Sequence, residues 1–356
     1  MKRQIVRFIL ILVLAIAFLF LSPEVTGKAS GSEPPASYPP GNISSEIPNI
    51  SSHNCSTLTR VHFAPGTTSA QVSGNLAANA CIQYVLRAFA GQLMQVDLSA
   101  PEGASLSVTT YWGRALVPIT GGRTGFRGYL PYTGDYMLTV RSGSRAVSFS
   151  MNIAIPQRIS FERGATSAIV EGQLGRHQSH DYILRAQAGQ LMEINVTPEG
   201  PQNSLQLIIY GVDGAVLRSG MGEGAFFRGE LPLSEDYIVT VRDGDQPVAF
   251  NMSVIIPQRI SFRPGAFSGS ASGRLGSFHS QYYVLRARQN QTMHVEVVPG
   301  NVVQLIIYGA DGTVLKSGMG EERATFTGVL PSSQDYILVV RSGNVSVSYT
   351  LQVTIR

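Results

Sequence analysis

The chain has 356 residues, with 27 Lys and Arg against 23 Asp and Glu, a formal net charge of +4, and two cysteines. Residues 1–30 hold four of the basic residues and one Glu, so the rest is close to +1 and has no basic stripe. Such a balance leaves no electrostatic footprint for DNA or RNA.

At the N-terminus, Lys2, Arg3 and Arg7 lead into an apolar run over residues 8–21 that ends at Ser22 and Pro23. This is the n-region and h-region of a secretory signal, and it is short of the roughly 20 residues a membrane span needs. Val25 with Gly27, or Gly27 with Ala29, supplies small residues for cleavage. Residues 1–29 are therefore expected to be a signal peptide or, if uncleaved, an N-terminal anchor; only the second case involves a membrane. No cysteine follows closely enough for a lipid anchor. Residues 30–58 are rich in Ser, Pro, Gly and Asn and are expected to form a disordered linker. The Asn-x-Ser sequons at Asn42, Asn49 and Asn54 read as chance occurrences. Cys55 and Cys81 would both meet an oxidising compartment and are expected to form a disulfide pinning the linker to the first domain; two free thiols are the alternative.

From there the chain repeats itself with a period of about 100 residues, the size of a whole small domain. IPQRISF occurs at residues 155–161 and again at 256–262. Tyr84, Leu86 and Arg87 recur as Tyr182, Leu184 and Arg185, then as Tyr283, Leu285 and Arg286. Later in each unit Leu130, Pro131, Asp135 and Tyr136 recur as Leu231, Pro232, Asp236 and Tyr237, then as Leu330, Pro331, Asp335 and Tyr336. The units are placed at residues 59–156, 157–257 and 258–356.

Within each unit apolar residues alternate with polar ones at period two, the mark of half-buried strands. Met192, Ile194 and Val196 against Glu193, Asn195 and Thr197 are one example; Val147, Phe149, Met151, Ile153 and Ile155 are another. Hairpin-grade turns separate these runs, including Asp213-Gly214 and Asp311-Gly312. No helical period of useful length occurs. The expected fold is all-β: three tandem β-sandwich or jelly-roll domains of about 100 residues, each with seven or eight short antiparallel strands.

Tyr136, Tyr237 and Tyr336 fit a tyrosine corner, in which the hydroxyl folds back onto nearby backbone. The Asp before each is expected to accept hydrogen bonds in the turn. Arg87, Arg185 and Arg286 are expected to face outward and pair with a carboxylate on the next strand.

The order Phe-x-x-Gly at 161–164, Tyr-x-Leu-Arg-Ala, Ala-Gly-Gln-x-Met, Tyr-Gly-x-Asp-Gly and Leu-Pro-x-x-x-Asp-Tyr resembles bacterial pre-peptidase C-terminal-type domains. It is also similar to the fold of periplasmic inhibitors of g-type lysozyme. The resemblance covers residues 60–356 and implies β-sandwich accessory modules of secreted proteins. Unlike members that are appended to a hydrolase, this chain carries no catalytic domain, and no inhibitor loop motif is matched in it.

A search for chemistry returns none: there is no His-Glu-x-x-His, the Gly269–Gly273 run has Ala271 where a nucleophile elbow needs Ser, and Lys316-Ser317 lacks the preceding glycines of a phosphate loop. His177, His180 and His279 read as surface-loop histidines, and Asp243 with Asp245 is too small a set for calcium. No enzyme activity, cofactor or metal is expected. Two features stand out as candidate ligand contacts. Met221 and Met319 sit in Ser-Gly-Met-Gly-Glu loops of the second and third units, where a plug for the core end is the plainer reading. Tyr111 and Trp112, the latter the single Trp, occupy a turn of the first unit; in a sequence alignment Trp112 falls opposite the turn glycines Gly211 and Gly309. The chain therefore reads as a non-catalytic, secreted or cell-envelope protein whose tandem modules bind an extracellular protein or a cell-wall polysaccharide. The alternative is an inhibitor of a secreted hydrolase such as a g-type lysozyme.

Overall fold

The computed structural model describes Cys55 and residues 58–64, 66–101, 103–116, 120–121, 124–200, 205–220, 225–242, 246–318 and 324–356. The signal segment, nearly all of the linker, Met221, Met319, Asp243 and Asp245 lie outside the described residues. Every regular element among the described residues is a strand, and no helix is long and apolar enough to cross a membrane.

The first set of strands is β1 (Leu58–Arg60), β2 (Ser69–Leu76), β3 (Cys81–Ala88), β4 (Leu93–Ser99), β5 (Ser105–Thr110), β6 (Thr120–Gly121), β7 (Gly125–Tyr129), β8 (Gly134–Arg141) and β9 (Val147–Ala154). The second is β10 (Gln157–Arg158), β11 (Ser167–Leu174), β12 (Ser179–Ala186), β13 (Leu191–Pro198), β14 (Gln206–Gly211), β15 (Val216–Arg218), β16 (Phe226–Glu230), β17 (Glu235–Arg242) and β18 (Val248–Ile255). The third is β19 (Gln258–Arg259), β20 (Ser268–Leu275), β21 (Ser280–Ala287), β22 (Thr292–Val298), β23 (Val303–Gly309), β24 (Val314–Lys316), β25 (Thr325–Val329), β26 (Gln334–Ser342) and β27 (Val347–Ile355).

Each set folds into two facing sheets. In the second, one sheet has the order β10-β12-β17-β14-β15 and the other β11-β18-β13-β16; the third repeats this as β19-β21-β26-β23-β24 and β20-β27-β22-β25. Successive long strands thus cross from one sheet to the other, the winding of a jelly roll. The first set differs at one point: β6 joins β7 in the sheet β2-β9-β4-β7-β6, leaving β1-β3-β8-β5 opposite. Nine strands per set exceed the seven or eight expected, and β1, β10 and β19 pair in parallel with β3, β12 and β21. These edge strands are two or three residues long and largely polar, so alternation cannot reveal them.

Between each pair of sheets lies one apolar core, with Tyr84, Tyr182 and Tyr283 at its heart. Tyr182 meets Phe250 edge-on at 6.5 Å, as Tyr84 meets Phe149 at 6.3 Å; in the third core the Tyr283 and Tyr349 hydroxyls hydrogen-bond at 2.7 Å. Gly172 is required there, since a Cβ would stand 2.4 Å from the Phe250 ring. The tyrosine corners form as expected: the hydroxyl of Tyr136 donates to the Tyr132 carbonyl, that of Tyr237 to Leu233 and that of Tyr336 to Ser332.

The aspartates before these tyrosines are not simple turn acceptors. Arg60 grips Asp135 with two hydrogen bonds, Arg158 grips Asp236, and Arg259 grips Asp335, each guanidinium coming from the short parallel edge strand. Arg185, by contrast, donates to the Ser234 carbonyl. Planar guanidinium–carboxylate pairing adds geometric specificity to an edge strand that has few backbone bonds of its own. His180 also departs from expectation: it is buried in β12, its ring stacked 4.5 Å from Tyr182.

Two joints hold the sandwiches in series, and both use the same chemistry. At the first, Leu93 packs against Ile183 and Ile238, the Arg127 guanidinium lies over the Tyr210 ring, and the Asp181 amide donates to the Thr68 hydroxyl. At the second, Leu191 packs against Val284 and Ile337, Arg228 lies over Tyr308, and the Tyr282 amide donates to Thr166. The donor face is always the outer side of the β4/β7 or β13/β16 sheet, and the receiving face the outer side of the next sandwich's other sheet. On the third sandwich the donor positions carry Thr292, His294 and Thr327, all exposed, in place of Leu191, Glu193 and Arg228.

Candidate functional site

One end of the first sandwich gathers three turns: residues 89–92 between β3 and β4, 111–114 after β5, and 131–133 between β7 and β8. The middle turn is closed by Gly113, at φ +84°, whose amide donates to the Thr110 carbonyl, and by the Thr110 amide donating to the Arg114 carbonyl at 2.9 Å. The Tyr111 amide donates across to the Asp135 carbonyl. Tyr111 and Trp112 project outward from this turn, 59% and 73% exposed.

The neighbouring turns are tied to this one. Arg114 donates from Nη1 to the Tyr132 hydroxyl at 2.9 Å. Tyr132 is itself held by its amide and carbonyl on the Tyr136 hydroxyl, so the corner tyrosine fixes the rim from beneath. The Ala90 amide donates to the Thr133 hydroxyl at 3.0 Å and the Gly91 amide to the Leu130 carbonyl at 2.8 Å. The result is a rim with four exposed aromatic side chains, Phe89 at 61% and Tyr132 at 45% joining the pair from β5. Covering about 100 Å² of such a ring contributes about 2.5 kcal/mol, and these rings stand on backbone that is already ordered.

The other copies lack this rim. Phe89 corresponds to Gln187 and Arg288, and Tyr132 to Leu233 and Ser332. Strand register corrects the sequence alignment of the tryptophan: Thr110 pairs with Tyr136 as Gly211 does with Tyr237 and Gly309 with Tyr336, so Trp112 stands where Asp213 and Asp311 do. The turn glycines correspond to Thr110 instead. The exchange is coupled. In the second and third copies Glu235 and Gln334 reach over the glycine to accept from the Asp213 and Asp311 amides. A Cβ on Gly211 would stand 2.1 Å from the Glu235 carboxyl. In the first copy Gly134 removes that side chain, Thr110 fills the space, and its hydroxyl accepts from the Arg114 amide at 3.2 Å.

Sequence reading found Tyr111 and Trp112 but not Phe89, Tyr132 or Arg114. The signal for them is position-by-position disagreement among the copies at the turn after the shared Ala and the turn after the shared Leu-Pro. Cys55 and Cys81 are joined in a disulfide 26 residues apart at the start of β3, on the first sandwich. Among the described residues no group of three His, Cys, Asp or Glu is placed to hold a metal ion.

Among the perturbed carboxyls, Asp236 and Asp181 lie at the first joint, whereas Asp135, whose carbonyl accepts from the Tyr111 amide of the rim, is lowered by its hydrogen bonds from Arg60. Burial raises Asp236, but hydrogen bonds from Arg158 and from the Tyr129 hydroxyl of the first sandwich outweigh it and hold the carboxyl below its usual range. Burial drives Asp181 upward, assisted by the Asp97 charge and opposed by the Thr240 hydroxyl that donates to it. Burial likewise lowers His180. These groups are structural neighbours of the interfaces.

No family model matches the chain, and no curated protein sequence matches it. Among solved structures it is similar to the periplasmic g-type lysozyme inhibitor PliG of Aeromonas hydrophila, at 28% identity and a TM-score of 0.26, covering 28% of this chain and 96% of that one. PliG of Salmonella Typhimurium matches at 25% identity and a TM-score of 0.24, over 28% and 96% of the two chains. A mutant of the Escherichia coli PliG matches at 19% identity and a TM-score of 0.24, over 28% and 97%. These solved structures are lysozyme inhibitors, each matched over 28% of this chain; the pre-peptidase part of the sequence resemblance is matched by no family model.

Proposed function

We propose that this chain is a non-catalytic, extracytoplasmic binding protein whose recognition surface is the aromatic rim of the first sandwich, and that its ligand is a protein. The observation that carries this reading is the set Phe89, Tyr111, Trp112 and Tyr132, exposed on three mutually bonded turns. Trp, Tyr and Arg are the residues in which interface energy concentrates, and a rigid, preordered rim avoids the cost of ordering loops on binding. The Cys55–Cys81 disulfide agrees with an oxidising compartment.

The arrangement also changes how the three copies act. The faces of the second and third sandwiches that correspond to the outer β3/β8 sheet are spent on joints, so the three copies are not equivalent. A recognition surface carried by one copy suits the second reading, inhibition of a secreted hydrolase, because one plug is enough to block one cleft.

The test is binding of the exported chain to purified g-type lysozyme, with the rate of peptidoglycan hydrolysis followed in parallel, beside a panel of cell-wall polysaccharides. Protein binding that falls at least tenfold in Trp112→Ala and in Tyr132→Ala, and is unchanged in Asp213→Ala, supports the rim. Binding that both rim variants leave intact overturns it, as does retention by polysaccharide alone; slowed hydrolysis selects the inhibitor reading.

A further inference from the structure

His180 is the single buried histidine among the described residues; His62, His177, His279 and His294 are exposed. It is 7% exposed, and neither ring nitrogen has a hydrogen-bond partner among the described residues. Its ring lies flat on that of Tyr182, whose buried hydroxyl is also unpartnered. Across the ladder it faces Val241, while Phe250 and Gly172 close on Tyr182 from the opposite sheet. Arg176 and His177, in the turn before β12, are exposed, and Asp181 points to the other face of the strand, where Thr240 donates to it. No carboxylate is thus placed to receive an imidazolium, and burial alone lowers the pKa of His180.

The copies supply an internal control. At the first joint the Asp181 amide donates to the Thr68 hydroxyl, and at the second the Tyr282 amide donates to that of Thr166. The residue before each donor is what differs. His180, Gln281 and Ile82 share one position, opposite Val241, Val340 and Val140, and Gln281 there donates to the Gly164 carbonyl of the preceding sandwich.

We propose that His180 makes the first joint, and not the second, loosen in mild acid. A proton taken from solvent onto the free ring nitrogen puts a full charge in an apolar core, and the Tyr182 face offsets only part of that cost. The charge is relieved when the start of β12 leaves the core. Asp181 is the next residue, so its bond to Thr68 is lost with it and the sandwich that bears the rim is held less tightly. Because the folded value lies below the unfolded one of 6.5, stability is complete above 6.5 and is lost as pH falls through the folded value. Asp181 is raised by burial and acts in the opposite sense, so the effect is read against variants that leave Asp181 in place. The device does not depend on what the rim binds.

The experiment follows amide hydrogen exchange in the full exported chain between about pH 7.5 and about pH 5, comparing Asp181 with its counterpart Tyr282 after correction for intrinsic rates. Protection at Asp181 relative to Tyr282 is expected to fall about threefold or more over that range. His180→Gln and His180→Ile, which place the residues of the third and first copies at this position, are each expected to hold the ratio constant. A ratio that stays flat in the parent overturns the proposal, as does an equal fall in either folded variant. Loss of protection at both amides together also overturns it, because general acid unfolding does not distinguish the two joints.

Discussion

Arg228 of the second sandwich lies over the ring of Tyr308 in the third, 4.9 Å from its centroid, while its Nε donates to Glu193 at 2.8 Å. The guanidinium also reaches the Gly309 and Ala310 carbonyls through Nη1. One side chain therefore joins two cores. Arg228→Ala is expected to cost about 2–3 kcal/mol, because it removes a partly desolvated cation–π contact and leaves Glu193 with only the Tyr308 hydroxyl at 3.4 Å. Thermal unfolding and protease cleavage near Pro257 measure it; a variant with an unchanged melting temperature and cleavage rate would show that the joint does not depend on this side chain.

Tyr237 is buried to its ring and ends in a hydroxyl that donates to the Leu233 carbonyl at 2.7 Å and accepts from the Leu233 amide at 3.2 Å. Tyr237→Phe is expected to destabilise by about 1–2 kcal/mol, with the Leu233 amide and carbonyl left short of a partner. Denaturant unfolding reads this directly. In the first sandwich Tyr136→Phe has a second effect, loosening Tyr132 and with it rim binding.

Acidity acts on the first joint in two directions. Asp236 has its carboxyl lowered on folding, so its contribution is present above the unfolded value of 3.8 and is lost as pH falls through the folded value. Asp181 is raised, so its contribution is complete below 3.8 and is lost as pH rises through its folded value. Asp97, Tyr210 and, over the Tyr210 ring, Arg127 are the other titratable or charged groups around it. Asp181→Asn is expected to gain stability relative to the parent as pH rises from 4 to 8. A melting-temperature difference that stays flat across that range contradicts the assignment.

Replacing Cys55 and Cys81 by Ser removes a cross-link over 26 residues and is expected to cost the first sandwich about 3 kcal/mol through the freed unfolded chain. The second and third sandwiches, which have no cysteine, should unfold as before. Calorimetry with and without reductant separates the transitions; a uniform shift of all three would point to coupling through the joints instead.

The all-β fold and its three cores were legible because alternation and a 100-residue period are properties of long strands such as β8, β17 and β26. The corner tyrosines were legible for the same reason, standing at a fixed distance from Leu-Pro. The pairing of Arg158 with Asp236 was not, since the partners are 78 residues apart and an edge strand of two residues carries no period. Tyr210 and Tyr308 stand in the sequence only as part of the Tyr-Gly-x-Asp-Gly motif, and their role at the joints shows once Arg127 and Arg228 are seen lying over them. Trp112 was visible as an oddity, but its neighbours Phe89 and Tyr132 become a site only when three turns meet at one end.

The third sandwich, where Thr292 and Thr327 replace the leucine and arginine of the two joints, carries a consequence for building with these modules. A fourth copy fused after Arg356 would meet hydroxyls where the stack needs an apolar knob and a guanidinium, and would dangle as an independent bead. Placing Leu at 292, Glu at 294 and Arg at 327 supplies the coupler, so whether one copy docks on the next is written in three side chains rather than in the number of repeats.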